Sequence, residues 1–303
     1  MLLRWLVNQY VGQATRQQLQ SVVTDTLRGA AAEAARQTTG SSERAAAGAD
    51  GRPTAQSDEL APPCDLAVIF ALGIESGGTV DKLEEASTTR IGSFTEHAGR
   101  LLGKEAVVVE SGVGPEAAAK ATADVIGFHQ PLWVVSAGFA GALDPSLRRG
   151  HILMASEVVR GDSPGLSVGF KLHAQEAPWL HVGRLVTTDK LVRTRAEKES
   201  LGKQHQALAC DMESYAIADV CRQKGVRFLS VRIISDALDD ELPKEVERLL
   251  AQKTIAGKLG AAAKAVFQRP GSALDFIKLQ DDALKASDRL AKFLTGLVVQ
   301  LRP

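Results

Sequence analysis

The sequence predicts an α/β fold, a central mixed but mostly parallel twisted sheet flanked by helices. Three observations carry that expectation. From Cys64 onward, Asp65–Leu72 is a continuous apolar run, as expected of a strand covered on both faces, and further strand-like segments follow at Pro131–Ser136, Ile152–Val159 and Phe228–Ile234. Segments of helical character alternate with them. Small-residue turns, Gly112–Gly114 and Gly138–Gly141, directly follow strand-like runs, the place where open α/β sheets take their ligands.

Taken in order, the chain opens with a stretch of different character. Leu3, Leu6, Val7, Tyr10 and Ala14 recur at spacings of three and four, and Leu19, Val22, Val23 and Leu27 extend the stripe. This predicts an amphipathic helix whose Ala-rich tail reaches Arg36. A helix docking on its own domain or a partner is the default reading. A membrane-surface anchor through residues 1–30 and a cleaved targeting segment compete with it, although Asn8 and Gln9 break the apolar run early. From Arg28 to Glu59 there is no Val, Ile, Leu, Met, Phe, Trp or Tyr. Such a stretch cannot bury enough apolar surface to offset its ordering entropy, so residues 37–62 read as a disordered linker.

Residues 63–303 read as one catalytic domain. Asp65–Leu72 is its first strand. Arg90–Glu110 suggests two strands joined around Gly103-Lys104, and Pro115–His129 a helix opened by proline. Strands follow at Pro131–Ser136, Ile152–Val159, Leu185–Thr188, Ala207–Cys210 and Phe228–Ile234, with helices at Met212–Lys224 and Lys244–Phe267. After the Arg269-Pro270-Gly271 break, a last helix from Leu274 to Leu301 places Ile277, Leu284, Leu290, Leu294, Leu297 and Leu301 on one face.

Composition excludes several function classes. Lys plus Arg is 36 and Asp plus Glu is 36, so no basic field exists to hold a nucleic acid. No apolar run approaches the ~20 residues of a membrane-spanning helix. Cys64, Cys210 and Cys221 are too few and too far apart for a disulfide framework or a zinc site, which suits a cytoplasmic protein. His97, His129, His151, His173, His181 and His205 show no metal-ligand spacing and read as surface or structural, so no metal is expected. Cys210 reads as a buried inert thiol, and Trp133 as core.

Five local features carry chemistry. Gly112-Val-Gly114-Pro-Glu-Ala117 matches a GxGxxA fingerprint, but no acid ends the next strand, so a tight turn near some ligand is preferred over a dinucleotide site. Ser136-Ala-Gly138-Phe139-Ala-Gly141 reads as a second small-residue loop, whose amides could line a pocket. Asp211-Met212-Glu213-Ser214 opens a helix with acids, Ser235-Asp236 ends an apolar strand, and Glu75 follows the first strand. Each acid alone could be a cap or a helix-end charge. Together, Glu75, Glu213 and Asp236 stand at carboxyl ends of strands beside two Gly-rich turns. Carboxylates crowded in a partly desolvated cleft split into acid and base roles near neutral pH. That suits glycosyl transfer, where a leaving group is protonated and water activated on opposite sides of one carbon.

In this order Glu75, Ser111-Gly-Val-Gly114, Ala137-Gly-Phe-Ala-Gly141, Asp211-Met-Glu-Ser214 and Ser235-Asp236 resemble the nucleoside phosphorylase/nucleosidase superfamily, across about Asp65 to Asp240. The likeness is to 5′-methylthioadenosine/S-adenosylhomocysteine nucleosidases and to a hopanoid-associated purine phosphorylase branch. It implies that Asp236 serves the purine N7, that Glu213 holds the ribose hydroxyls with Met212 packed on the sugar, and that Glu75 activates water at C1′. Thr188–Val192 would embrace the purine, with Leu191 at the stacking position and Val192 beside it. Gly112, Gly114, Gly138, Phe139 and Ser235 would line the substrate site. The resemblance implies a nucleoside substrate, a homodimer or larger oligomer, and neither metal nor organic cofactor. The phosphorylases carry an Arg after the first strand and another before the second Gly-rich turn. Leu72-Gly-Ile-Glu75 and Val134–Ala137 have none, which favours water over phosphate as nucleophile. Phe139 stands where both branches usually have Ser. A phosphorolytic enzyme acting on an adenosyl lipid, with inorganic phosphate as co-substrate, and a nucleoside-binding module without catalysis are the competing expectations.

Overall fold

The computed structural model describes residues 63–169, 177–242 and 272–301. The predicted leader helix 1–36, the linker 37–62, the helix Lys244–Phe267 and His173 lie outside the described residues. The chain divides into two units, Met1–Ser57 and Asp58–Pro303, and all described residues belong to the second.

Its elements are β1 (Leu66–Phe70), α1 (Gly73–Val80), β2 (Glu84–Ile91), β3 (Phe94–Leu101), β4 (Lys104–Glu110), α2 (Pro115–His129), β5 (Trp133–Ala142), β6 (Ile152–Val159), β7 (Leu166–Ser167), β8 (Leu180–Thr187), α3 (Arg195–His205), β9 (Ala209–Asp211), α4 (Ser214–Lys224), β10 (Arg227–Asp236) and α5 (Ser272–Val298). The strands form one mixed, ten-stranded sheet, as the sequence predicts. β1 lies at its centre, parallel to both β4 and β5. All five residues of β1 are buried, and they alternate between two cores. Leu66, Val68 and Phe70 pack in the core that includes α5, while Ala67 and Ile69 pack in the one that includes α2 and α4.

Beyond β5 the sheet curls and closes. β5 pairs with β10 in parallel, β10 with β6 antiparallel, β6 with β8 and β8 with β9 in parallel, and β9 returns to β5 at Gly141–Ala142. Every strand of this ring contributes to one cluster: Ala140, Ala142, Leu153, Ala155, Val158, Leu185, Ala209 and Ile234. Its small side chains let the ring close tightly.

Three local expectations need correction. The stretch from Ser136 to Ala142 is strand, not loop, because β10 and β9 satisfy its backbone on both edges. Arg90–Glu110 holds two strands joined around Gly103, β3 and β4, as expected, but β2 before them was not foreseen. β2 is exposed along almost its whole length, so its polar sequence carries no burial pattern. Trp133 is half-buried at the mouth of β5, with the Arg227 guanidinium 5.3 Å above its ring. On α5, Leu290, Leu294 and Leu297, and Leu301 just beyond it, are buried as expected, but Leu284 is exposed.

α5 positions the site from behind. Ser287 Oγ accepts from Gly78 N–H at 3.1 Å and donates to the Glu75 carbonyl at 3.0 Å, so α5 is fastened to the first turns of α1. Among the described residues, no helix is long and apolar enough to cross a membrane. Leu290 is fully buried at this seam. Leu290→Ala is expected to cost ~2–5 kcal/mol of unfolding free energy with an unchanged denaturant slope, measured by urea denaturation.

Candidate active site

Glu75 sits in the first turn of α1, directly after β1. Leu72, at the N-cap, has no side-chain acceptor for the free amides of the helix start. Glu75 replaces it by folding back: Oε2 accepts from Leu72 N–H at 2.9 Å and Ala71 N–H at 3.1 Å. Its other oxygen, Oε1, accepts from Phe139 N–H on β5 at 2.9 Å. Burial pushes the Glu75 carboxyl above the ordinary carboxylate range, even against these three amides and the nearby Arg232 charge. Phe139 therefore meets the site through its backbone, and its half-buried ring packs against the α5-side core.

The glycines of β5 are there for close approach. A Cβ on Gly138 would lie 2.8 Å from Arg232 Nη1 and 2.9 Å from Glu75 Oε1. One on Gly141 would lie 3.0 Å from Asp236 Oδ2. The strand thus passes beneath two carboxylates that reach over it from neighbouring elements.

Glu213 ends the β9 turn as the N-cap residue of α4. It does not serve the helix that it precedes. Its Oε1 accepts from Gly114 N–H at 2.8 Å, at the N-terminus of α2. Gly114 caps that helix at φ +102, a conformation that L side chains rarely adopt, and Pro115 occupies the first helical position. The Gly112–Gly114 turn thus presents an amide to a carboxylate of the same protein. Burial first, and the neighbouring Asp211 charge second, push Glu213 up to about 8. Met212 beside it is half-buried.

Asp236 closes β10. Its Oδ1 accepts from Ser235 Oγ at 2.7 Å, and its Oδ2 lies 2.6 Å from Lys198 Nζ. Leu191 and Val192 are half-buried, and Val192 packs against Leu143, Val186 and Cys210. Thr188–Arg193 also line a groove of about 840 Å³ along α3. None of the three carboxylates lines it.

Beneath the cleft lies a polar network that the sequence reading did not assign. Arg232 is buried in β10, between Val231 and Ile233. It donates from Nε to Asp211 Oδ2 at 2.9 Å, and from Nη2 to Ser136 Oγ at 2.6 Å and Ser214 Oγ at 2.9 Å. Asp211 also accepts from Thr187 Oγ1 and Ser214 N–H. A charge inside an apolar strand needs a partner, and that was the available signal for Arg232. Lys198 carried none, because α3 is otherwise polar and exposed.

The remaining candidates behave as structural groups. His129 contacts Glu96 at 2.9 Å, His97 bridges Thr88 and Glu110, and His151 stacks on His181. No cluster of His, Cys, Asp and Glu among the described residues is arranged to hold a metal. Burial raises the Cys210 thiol far above its ordinary range, so it is no nucleophile at neutral pH.

Glu213 yields a measurable consequence. Its folded-state carboxyl titrates above the unfolded value, so between about pH 4.5 and 8 the folded chain holds a proton that the unfolded chain has lost. Stability must therefore fall as pH rises through that window. Glu213→Gln removes this contribution, while Glu75 retains its own. The thermal midpoint of the variant relative to wild type is expected to climb steadily from pH 5 to pH 8, and a constant difference would contradict the assignment.

The family model described as the phosphorylase superfamily matches residues 65–179 and 171–268. A 5′-methylthioadenosine/S-adenosylhomocysteine nucleosidase of Colwellia psychrerythraea is 30% identical over 213 residues, 60% of this chain and 88% of that protein. One from Staphylococcus haemolyticus is 26% identical over 211 residues, 62% and 92% respectively. The crystal structure of the Colwellia psychrerythraea nucleosidase in complex with adenine aligns with a TM-score of 0.58 at 23% identity, covering 79% of this chain and 96% of that one. A futalosine hydrolase mutant of Helicobacter pylori aligns with a TM-score of 0.59 at 20% identity, covering 78% and 100%. At such identities the two structures establish a shared fold. By its sequence relatives the chain is an enzyme of the N-glycosidase class. Matched across more than half its length, it belongs to the phosphorylase superfamily.

Proposed function

We propose that this protein hydrolyses the N-glycosidic bond of a purine nucleoside, a 5′-substituted adenosine such as 5′-methylthioadenosine or S-adenosylhomocysteine, and releases adenine. The observation that carries this reading is the arrangement of three buried carboxylates around one strand. Glu75 and Asp236 lie over Gly138 and Gly141 of β5, and Glu213 stands at the neighbouring β9 turn.

In this mechanism the electron pair of the C1′–N9 bond departs with the purine, and Asp236 delivers a proton to N7 as the bond breaks. Glu213 accepts hydrogen bonds from the ribose hydroxyls. Glu75 takes a proton from the water that adds to C1′, giving the free sugar. A buried carboxylate with a raised affinity for protons suits that last role, since it is a stronger base than an exposed one. The reaction needs no metal and no organic cofactor.

Water rather than phosphate is supported by the charges beside Gly138. Arg232 spends Nε and Nη2 on Asp211, Ser136 and Ser214, and the Glu75 carboxylate stands beside its Nη1 at Gly138. A phosphate dianion placed there would meet the Glu75 carboxylate and a guanidinium already paired with Asp211.

Adenine release from 5′-methylthioadenosine in phosphate-free buffer, followed by ultraviolet absorbance, tests this directly. Turnover is expected without phosphate and unchanged on adding it. Strict phosphate dependence would establish phosphorolysis, and tight binding without turnover a binding module. Asp236→Asn and Glu75→Gln are each expected to lower kcat by ~10²–10⁴ with the thermal midpoint little changed. Wild-type rates in both variants would remove these residues from the mechanism.

A further inference from the structure

We propose that Lys198 is a positioning residue for departure of the base, acting through Asp236. The inference rests on the assignment of Asp236 to the leaving purine made above. Lys198 is the one buried side chain of α3, and it is fully enclosed. Its ammonium has three N–H donors and uses each. It donates to Asp236 Oδ2 at 2.6 Å, to the Ala237 carbonyl at 2.7 Å and to the Asp240 carbonyl at 2.8 Å. An enclosed lysine is costly to desolvate, and an apolar side chain would fill the space without that cost. Stability alone is therefore a poor account of the charge.

Its placement points to catalysis instead. The ammonium grips one oxygen of Asp236, while Ser235 Oγ at 2.7 Å holds the other. Held at both ends, the carboxylate presents a single aspect to the cleft, and small errors of aim at a proton donor are costly in rate. The charge acts at the bond-breaking step as well. When the Asp236 carboxyl gives its proton to N7, it is left as an anion 2.6 Å from a fixed ammonium in a dry site. Lys198 stabilises the charge that develops beside it.

Lys198 also ties together two walls of the cleft. The turn after β10 is built on its ammonium and completed by Ala237 N–H donating to Asp240 Oδ2 at 2.7 Å. The segment that leads from Thr188 into α3 is bound to the same region, with Leu242 N–H donating to the Arg193 carbonyl at 3.1 Å and Arg193 donating back to Leu242.

The test separates help to the leaving group from support of the fold. Full-length wild type and Lys198→Met are compared on 5′-methylthioadenosine and on 4-nitrophenyl 5-methylthio-β-D-ribofuranoside, whose nitrophenolate departs without being protonated. Lys198→Met is expected to lose ~10²–10³ in kcat on the nucleoside and less than about threefold on the aryl glycoside. Lys198→Gln, which keeps donors but not charge, is expected to show the same split and serves if the methionine variant misfolds. Added to Asp236→Asn, Lys198→Met should cost less than about threefold more, because the two act as one unit. Equal losses on both substrates, or full additivity with Asp236→Asn, would overturn the inference and leave the Asp236 assignment standing. If wild type cleaves neither substrate, the nucleosidase reading itself fails.

Discussion

The ion pair between Arg232 and Asp211 is the interaction on which the rest of the site depends. It lies inside the fold, with both side chains almost wholly buried. Through it β10 is joined to β9, through Ser136 to β5, and through Ser214 to the start of α4. Such a pair is not a cheap source of stability, since desolvating its two charges costs several kcal/mol and the attraction only offsets that when every donor is matched. Here the network is closed by hydroxyls: Ser136, Ser214, Ser230 and Thr187 supply the hydrogen bonds that the charges do not. What the network contributes is geometry, one arrangement of three strands and a helix from which the functional carboxylates project.

The glycines follow from that arrangement. Because Arg232 reaches across from β10 and Glu75 from α1, the strand between them must present no side chain at Gly138. Asp236 imposes the same demand on Gly141. A motif that reads in sequence as a pocket-lining loop therefore serves chiefly to clear space for the protein's own groups. The Gly112–Gly114 turn behaves alike, since its amide and the positive end of α2 receive Glu213.

The distribution of charge divides the labour. Asp211, Glu75 and Glu213 surround one guanidinium; burial holds Glu75 above ordinary carboxylate values, and burial together with repulsion from Asp211 and Glu75 does so for Glu213. Asp236 stands apart with its own ammonium from Lys198. Two acids of the same type thus occupy different electrostatic settings at opposite ends of a short stretch of β5. That separation is what a reaction with a proton donor on one side of a carbon and a proton acceptor on the other requires.

Much of this was legible beforehand, for definite reasons. A continuous apolar run marks β1 because a strand covered on both faces has no polar position to spare. Acids placed just after strands identify Glu75, Glu213 and Asp236, because such positions are costly unless used. The exposed strand β2 left no mark, since it buries neither face. Lys198 left none either, because one lysine on a polar helix looks like any other until the fold turns it inward. The sequence by itself determined the α/β class, most of the strands along the chain and the presence of three acids at strand ends. Only the tertiary structure decided that the sheet closes into a ring, that Arg232 and Lys198 are the cations that those carboxylates face, and that β5 continues as strand through its glycines. Those are relations between residues tens of positions apart, and local pattern reports the burial of a side chain but not the partner it is buried against.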